Sequence, residues 1–485
     1  MTEWTPSSRV AHVCPPVVPR VLHRGRWRSG DELDGMARRW HAAAREALGD
    51  RAPLVGAALP ATPGGVALFA ALTALPSPLV LLAPDPRAWR TDPAVPADTP
   101  VVLPPSLAHL GADAQKIGLL PIVMPEPGPA RGDPAPLALL RSPGVVLFTS
   151  GSTGAPRPVF RPMSGLCAAV TARGAAMRLR PGAGILIGVS ITSGQGLTYL
   201  LDAMLLGGAF GLLDPVDPRA ALAALAMAEF QCWRATPHFA DVLGRCALTE
   251  PAVAPPVCVL SSPISRAVFD RFVDRFGVPL RQSYSSSETG PVAHDDALAS
   301  AVAPDTVGRP LPGVEVAIGE HPAAPLPPDK VGRVWIRSPW QMAGYGFPPT
   351  VSRPGEVDEW WPTRDLGTRD ADGRLRLHGR VDDCIRTREN RLMNLALVAT
   401  SLRALPGVAD AAVVPLEGLA GPSFGAVVEA EPGITVETLR TKLAETLPPW
   451  SWPRTVEVVR SLPRLANGKT DRRACIALLG GVVAS

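Results

Sequence analysis

Lysine and tyrosine are the scarce residues of this 485-residue chain: of 48 basic side chains four are lysines (Lys116, Lys330, Lys442, Lys469) and 44 arginines, and the tyrosines number three (Tyr199, Tyr284, Tyr345). Arginine and lysine carry the same charge, so the skew points to a GC-rich coding sequence rather than to an electrostatic adaptation. It also makes each surviving lysine and tyrosine a position to examine for a chemical need. Excess charge of one sign is missing as well. The balance of 48 basic to 44 acidic residues leaves +4, without a run of five or six like charges, and so without the footprint of a nucleic-acid binder. The seven cysteines (Cys14, Cys167, Cys232, Cys246, Cys258, Cys384, Cys475) form no C-x-x-C pair, which argues against a zinc or redox motif and for a reducing cytoplasm. Long apolar runs are lacking too. Residues 1–28 break theirs with prolines, arginines and histidines, so no export signal is expected. The most apolar window, 66–84, contains Pro76 and Pro78 and predicts a buried helix, a turn and a buried strand at 79–83 rather than a membrane span.

What is present is a globular composition, 46% hydrophobic and 19% charged, in a length that fits two or more domains. From about residue 54 to 214, short apolar runs such as Leu79-Val80-Leu81-Leu82, Val145-Val146-Leu147-Phe148 and 185–189 alternate with Ala/Leu-rich helical stretches. Fully apolar strands between helices predict a parallel sheet covered on both faces. Residues 229–277 continue the pattern with a strand at 257–260 and a helix at 265–276. Beyond Gly308 short strands and Gly/Pro turns predict a small β-rich subdomain. From about Val381 a helix at 397–405, strands at 409–415 and 424–431 and a helix at 436–447 predict an α+β unit, with a boundary near Arg380. The Pro/Ala-rich stretch 125–136 is expected to be a surface loop.

The strand 145–148 runs directly into Thr149-Ser150-Gly151-Ser152-Thr153-Gly154-Ala155-Pro156. Two glycines let the backbone turn tightly and aim its N–H groups outward, and four hydroxyls add donors, which suits a polyphosphate. A plain Ser/Gly turn has the same composition. It is not a Walker loop: the one Gly-Lys-Thr, Gly468-Lys469-Thr470, has Pro463 where that motif requires its first glycine.

Seven segments in order, FTSGSTGAPRPV (148–159), YSSSETG (284–290), VGRPLPGVEV (307–316), GRVWIRSPWQMAGY (332–345), TRDLG (363–367), GRVDDCIR (379–386) and LPRLANGKTDR (462–472), resemble the adenylate-forming (AMP-binding) superfamily of acyl- and aryl-CoA synthetases, peptide-synthetase adenylation domains and luciferases. The resemblance implies an α/β fold: a large N-terminal domain, 1–379, of layered α/β subdomains plus the small β-rich one, then a small mobile α+β domain, 380–485, rotating about a hinge near Asp382. It implies that Thr149, Ser150, Gly151, Ser152, Thr153 and Gly154 hold the ATP phosphates. Tyr284 packs on adenine, Asp365 accepts from the ribose hydroxyls, and Arg380 reaches ribose or phosphate. Glu288 helps hold Mg²⁺, a hard cation content with one carboxylate and substrate phosphates. Lys469 matches the mobile lysine brought into the site during adenylation, where an ammonium between carboxylate and α-phosphate lowers the barrier electrostatically.

The implied cofactors are ATP and Mg²⁺, with CoA or phosphopantetheine as acceptor, and the implied partners are a small carboxylic acid and, where the acceptor is a carrier protein rather than CoA, an acyl carrier protein; charge and hydropathy predict no nucleic acid and no integral membrane association. Several positions depart from the family. Its Lys-Gly after the phosphate loop is Arg157-Pro158, and its glycine before the ribose aspartate is Arg364; adenylation is expected to survive both. Glu389 stands where a glycine usually closes on the pantetheine channel, and Val398 where an acidic helix residue is usual. The acyl pocket is expected to draw on 191–199, 235–239 and 285–287. The position of the aspartate that holds a substrate ammonium in amino-acid-activating members is Gln195 on an ungapped count, which argues against an α-amino acid. Ser193, Gln195, His238 and Ser285 either contact the acid or are structural. Three functions follow: an acyl- or aryl-CoA ligase, a carrier-protein ligase motivated by Glu389, and a non-catalytic nucleotide-binding protein motivated by the departures.

Overall fold

The computed structural model describes residues 16–480 apart from 50–51, 90, 92, 127–136, 150–155, 215–216, 247–252, 261–263, 349–359, 387–391, 417–422, 446 and 465–469. Most of the expected surface loop 125–136 therefore lies outside the described residues. Two large sheets dominate. One has seven strands, ordered Gly344–Tyr345, Pro158–Pro162, Gly144–Phe148, Leu79–Leu82, Val55–Ala58, Pro100–Leu103 and Leu120–Val123. The other has nine, and its centre runs parallel through Leu280–Ser286, Val257–Leu260, Phe230–Ala235, Gly184–Ile187 and Phe210–Leu212. The fully buried runs at 55–58, 79–82 and 184–187 are what a sheet covered on both faces requires.

Helices Pro63–Thr73 and Gly194–Leu206 contribute to a single core cluster that draws residues from both sheets. The first is apolar all round and buried from Gly65 to Thr73, the pattern of an interior helix. Thr62 caps it, accepting from Gly65 N at 3.3 Å, with Pro63 in the first turn, where its missing N–H costs nothing. The Pro76/Pro78 turn then delivers the chain into the strand Leu79–Leu82, so the window 66–84 folds as helix, turn and strand.

A four-stranded antiparallel sheet, Glu315–Ile318, Gly332–Arg337, Trp361–Arg369 and Leu375–Arg380, is the β-rich subdomain. The C-terminal part has its own three-stranded sheet, Val408–Leu416, Ser423–Ala430 and Thr455–Val459, and its own core around Val398, Leu402, Val428 and Leu443. Its first helix runs Leu395–Arg403, two residues earlier than expected, because Asn394 Oδ1 accepts from Ala396 N at 2.9 Å and starts it there. The helix expected at 436–447 ends at Leu443, before Pro448, which disfavours helix in the residues leading into it. The two parts also meet across polar groups: Arg271 Nη2 donates to Glu431 Oε1 at 3.0 Å. Among the described residues no helix is long and apolar enough to cross a membrane.

Candidate active site

The strands Gly144–Phe148 and Pro158–Pro162 form an antiparallel pair whose last rung is Phe148 opposite Pro158. One step further Thr149 N donates to Arg157 O at 3.0 Å, and Arg157 N donates to Thr149 Oγ1 at 3.0 Å. The two ends of the hydroxyl-rich segment thus meet in a closed hairpin base. Of its expected phosphate ligands, Thr149 is seen at that base; Ser150, Gly151, Ser152, Thr153 and Gly154 lie outside the described residues.

The strand Leu280–Ser286 carries Tyr284 and leads into the turn that holds Glu288. Ser286 Oγ accepts from Thr289 N at 3.0 Å and fixes that turn. Gly290, at φ 73°, follows; a Cβ there would lie 2.6 Å from Arg161 Nη2 and 2.7 Å from the Trp340 ring, so only glycine fits. Arg161 is buried and laces the turn down, Nη2 donating to Trp340 O at 2.8 Å and Nη1 to Ser287 O at 3.2 Å. Burial lowers its pKa to about 10, against the opposing pull of Glu288, and leaves it charged at neutral pH.

Two tyrosines each hold one of the two expected acidic residues. The Tyr284 hydroxyl donates to Asp365 Oδ2, and the Tyr345 hydroxyl donates to Glu288 Oε1 at 3.0 Å. Asp365 sits on the strand Trp361–Arg369, its N–H donating to Thr363 Oγ1 at 3.1 Å, and Arg380 is its cross-strand neighbour. Burial raises the Asp365 carboxyl pKa, and the Tyr284 hydrogen bond and the Arg380 charge oppose the rise. Glu288 Oε2 takes no hydrogen bond or ion pair from any described residue, and no trio of His, Cys, Asp or Glu among them could cage a metal. One carboxylate on a half-buried residue is a donor set that would suit Mg²⁺, which is held through few protein ligands and substrate phosphates.

The raised Asp365 pKa carries a pH expectation. In the ribose-binding role that the resemblance implies for Asp365 the ionised form is the acceptor, so ATP affinity should then fall on acidification at a higher pH than an ordinary carboxylate would dictate. Calorimetric titration of ATP across pH 4–8 checks this; Asp365→Asn should bind more weakly and lose the acid limb. An identical acid limb in that variant would assign the effect elsewhere.

The remaining expected residues are dispersed. Ser193 caps the helix Gly194–Leu206, its Oγ accepting from Gly196 N at 3.0 Å and donating to Ser190 O at 2.6 Å. Gln195 lies in the first turn of that helix, and Ser285 is exposed. His238, in the helix Pro237–Arg245, has a pKa lowered by burial, and the charges acting on it include Arg464, Glu429 and Asp410 of the C-terminal part. No hydrogen bond or ion pair among the described residues joins Ser193, Gln195 or His238 to the two tyrosine–acid pairs. Lys469 and Glu389 lie outside the described residues, as does the Asp382 side chain; Arg464 and Thr470, flanking Lys469, pair as an antiparallel bridge.

Sequence reasoning missed Arg161 and a buried cluster of Arg173, Asp202 and Arg234. Arg173 Nε donates to Asp202 Oδ2 at 2.9 Å, Arg234 Nη2 lies 3.7 Å from the same oxygen, and the Arg234 guanidinium stands 4.1 Å over the Tyr199 ring. A lone arginine in an otherwise apolar strand or helix was the available signal, and the abundance of arginine hid it.

Residues 87–346 match the family model for AMP-binding enzymes, and 398–469 match the model for the AMP-binding enzyme C-terminal domain. The first match covers more than half of the chain, and the chain belongs to this family of adenylate-forming ligases. Among individual relatives it is 29% identical over 348 residues to novobiocin biosynthesis protein H of Streptomyces niveus, an alignment covering 67% of this chain and 56% of that protein. It is 32% identical over 238 residues to the fatty acid–[acyl-carrier-protein] ligase MmaC of Mycobacterium marinum, covering 43% of each. The chain thus spans only about half the length of these curated relatives. Amide bond synthetase McbA from Marinactinospora thermotolerans superposes with a TM-score of 0.80 at 26% identity, covering 96% of this chain and 97% of that one.

Proposed function

We propose that the protein activates a carboxylic acid with ATP, forming an acyl- or aryl-adenylate and pyrophosphate, and then transfers the acyl group to a phosphopantetheine thiol. The observation that carries this reading is the pair of tyrosine–acid contacts, which hold Asp365 and Glu288 at motif positions beside the closed base of the hydroxyl-rich loop. In the first half-reaction the substrate carboxylate oxygen attacks the α-phosphorus, a new P–O bond forms, and the bond to the β-phosphate oxygen breaks as pyrophosphate leaves. The loop 149–154 receives the phosphates, Tyr284 packs on adenine, and Asp365 and Arg380 take the ribose. Glu288 would hold Mg²⁺, which when bound offsets phosphate charge. Lys469 neutralises the two approaching anions. In the second half-reaction the thiol sulfur bonds to the acyl carbon, the thiol proton is released, and AMP departs. We place the small domain at 380–485 and its pivot at Asp382, where a loop-terminal residue absorbs the backbone change.

The acid lies among 191–199, 235–239 and 285–287. Its acceptor is CoA or, as Glu389 and the likeness to MmaC favour, an acyl carrier protein. An amine acceptor is a second reading, favoured by the full-length likeness to an amide bond synthetase. Pyrophosphate release over a panel of aliphatic and aromatic acids tests the first step. Release that depends on one acid class is expected; ATP binding without acid-dependent release from any acid would leave a nucleotide-binding protein and sink the proposal. Offering CoA, a phosphopantetheinylated carrier protein and an amine to the adenylate then separates the acceptors.

A further inference from the structure

The Arg157 guanidinium carbon lies 3.8 Å from the centroid of the Tyr345 ring, on whose edge the hydroxyl donates to Glu288 Oε1 at 3.0 Å. Strand pairing brings the two residues together. Tyr345 is opposite Val159, and Gly346 N donates to Pro158 O at 3.0 Å, which sets the ring beside residue 157. Met342 N donates to Glu288 O at 2.7 Å, tying the glutamate's turn to the same segment. Trp361 buttresses the ring edge-on at 6.0 Å between centroids.

Opposite charges placed this close would ordinarily pair. Here Arg157 and Glu288 make no ion pair with each other, and the guanidinium donates no side-chain hydrogen bond to any described residue. The aromatic face takes the cation and the hydroxyl takes the anion, so each keeps groups unspent. A planar guanidinium suits this stack where an ammonium would be a point charge, which gives the departure from the family's lysine at 157 a physical partner.

We propose that Tyr345 is a positioning residue for ATP: it stacks the Arg157 guanidinium next to Thr149, leaving its N–H groups for the nucleotide's phosphates, and separately holds Glu288, so that cation and carboxylate do not quench one another. The inference rests on the nucleotide-binding part of the function proposed above and needs no substrate acid for its test. Arg157→Lys, Tyr345→Phe, Tyr345→Leu and the Arg157→Lys/Tyr345→Leu double variant are titrated with ATP by calorimetry, at saturating and at limiting Mg²⁺. Tyr345→Leu and Arg157→Lys should each weaken ATP binding roughly fivefold, and Arg157→Lys should cost little more once Tyr345 is leucine. Tyr345→Phe keeps the stack and should leave ATP affinity at saturating Mg²⁺ unchanged while raising the Mg²⁺ needed for half-maximal binding several-fold.

Equal penalties for Arg157→Lys in the two backgrounds would overturn the stacking role, and an unaltered Mg²⁺ requirement in Tyr345→Phe would overturn the tether. If Tyr345→Leu does not fold, exposed position 157 decides: Arg157→Lys should lose most of what Arg157→Met loses, and wild-type binding by Arg157→Lys overturns the proposal. Failure of acid-dependent pyrophosphate release with this coupling intact would refute acid activation and leave the positioning role standing. The reverse result would refute only the positioning role. A wild-type chain that binds no ATP refutes both.

Discussion

Replacing Lys469 by alanine is expected to lower acid-dependent pyrophosphate release by roughly two orders of magnitude or more, the loss typical of a removed electrostatic stabiliser at a developing charge. Adenylation brings the acid's carboxylate against the α-phosphate, and without a cation between them the approach of two anions sets the barrier. Thioester formation from a supplied acyl-adenylate involves no such approach and should be far less affected. The described residues on either side of 465–469 are tied together. Asp471 N donates to Pro463 O at 2.8 Å, Arg464 and Thr470 pair across its base, and Asp471 caps the helix Arg472–Leu478. Arg472 in turn binds Asp383, beside the pivot proposed at Asp382. Measuring both half-reactions on one preparation checks the expectation; equal losses in the two would contradict the role given to the lysine.

The second large effect concerns stability. Arg173, Asp202 and Arg234 are each no more than 2% exposed, and two guanidinium groups there share one carboxylate. Asp202→Ala strands both cations in the core and should cost about 3–5 kcal/mol, the range for breaking a buried pair by removing one partner. Arg234→Met leaves the Arg173–Asp202 pair balanced and should cost clearly less. Urea unfolding followed by tryptophan fluorescence is a direct comparison, since Trp233 is fully buried on the strand that bears Arg234. A loss from Arg234→Met as large as that from Asp202→Ala would show that shape, not charge balance, governs the cluster.

Both effects depend on relations whose legibility in the sequence differs. Strand Val257–Leu260 and the helix that follows Ser265 could be read directly, because an apolar run and a 3.6-residue period are local signals. The buried helix expected in the window 66–84 could be read from its apolar run and from Pro76 and Pro78 beyond its end, and it is the helix Pro63–Thr73. Positions 284, 288 and 365 could be singled out from their motifs. Their connections could not: Tyr284 reaches Asp365 across 81 residues of chain and Tyr345 reaches Glu288 across 57, and no periodicity encodes such a meeting. Arg161, Arg173 and Arg234 were hidden for a compositional reason, since in a chain so rich in arginine one more attracts no notice until its burial is known.

The sequence by itself determined the layered α/β class and membership in the adenylate-forming family, through local apolar patterns and seven ordered motifs that any fold of this chain must accommodate. It also drew attention to lysine and tyrosine by their rarity. What only the tertiary structure decided is how the three tyrosines are used. Tyr284 and Tyr345 each give a hydroxyl to an acid, and Tyr199 lies beneath a buried arginine. The physical reason is that a side chain's hydrogen bonds and charge partners depend on separations of a few ångströms between distant segments. Those separations arise only when sheet register and helix packing bring the segments together.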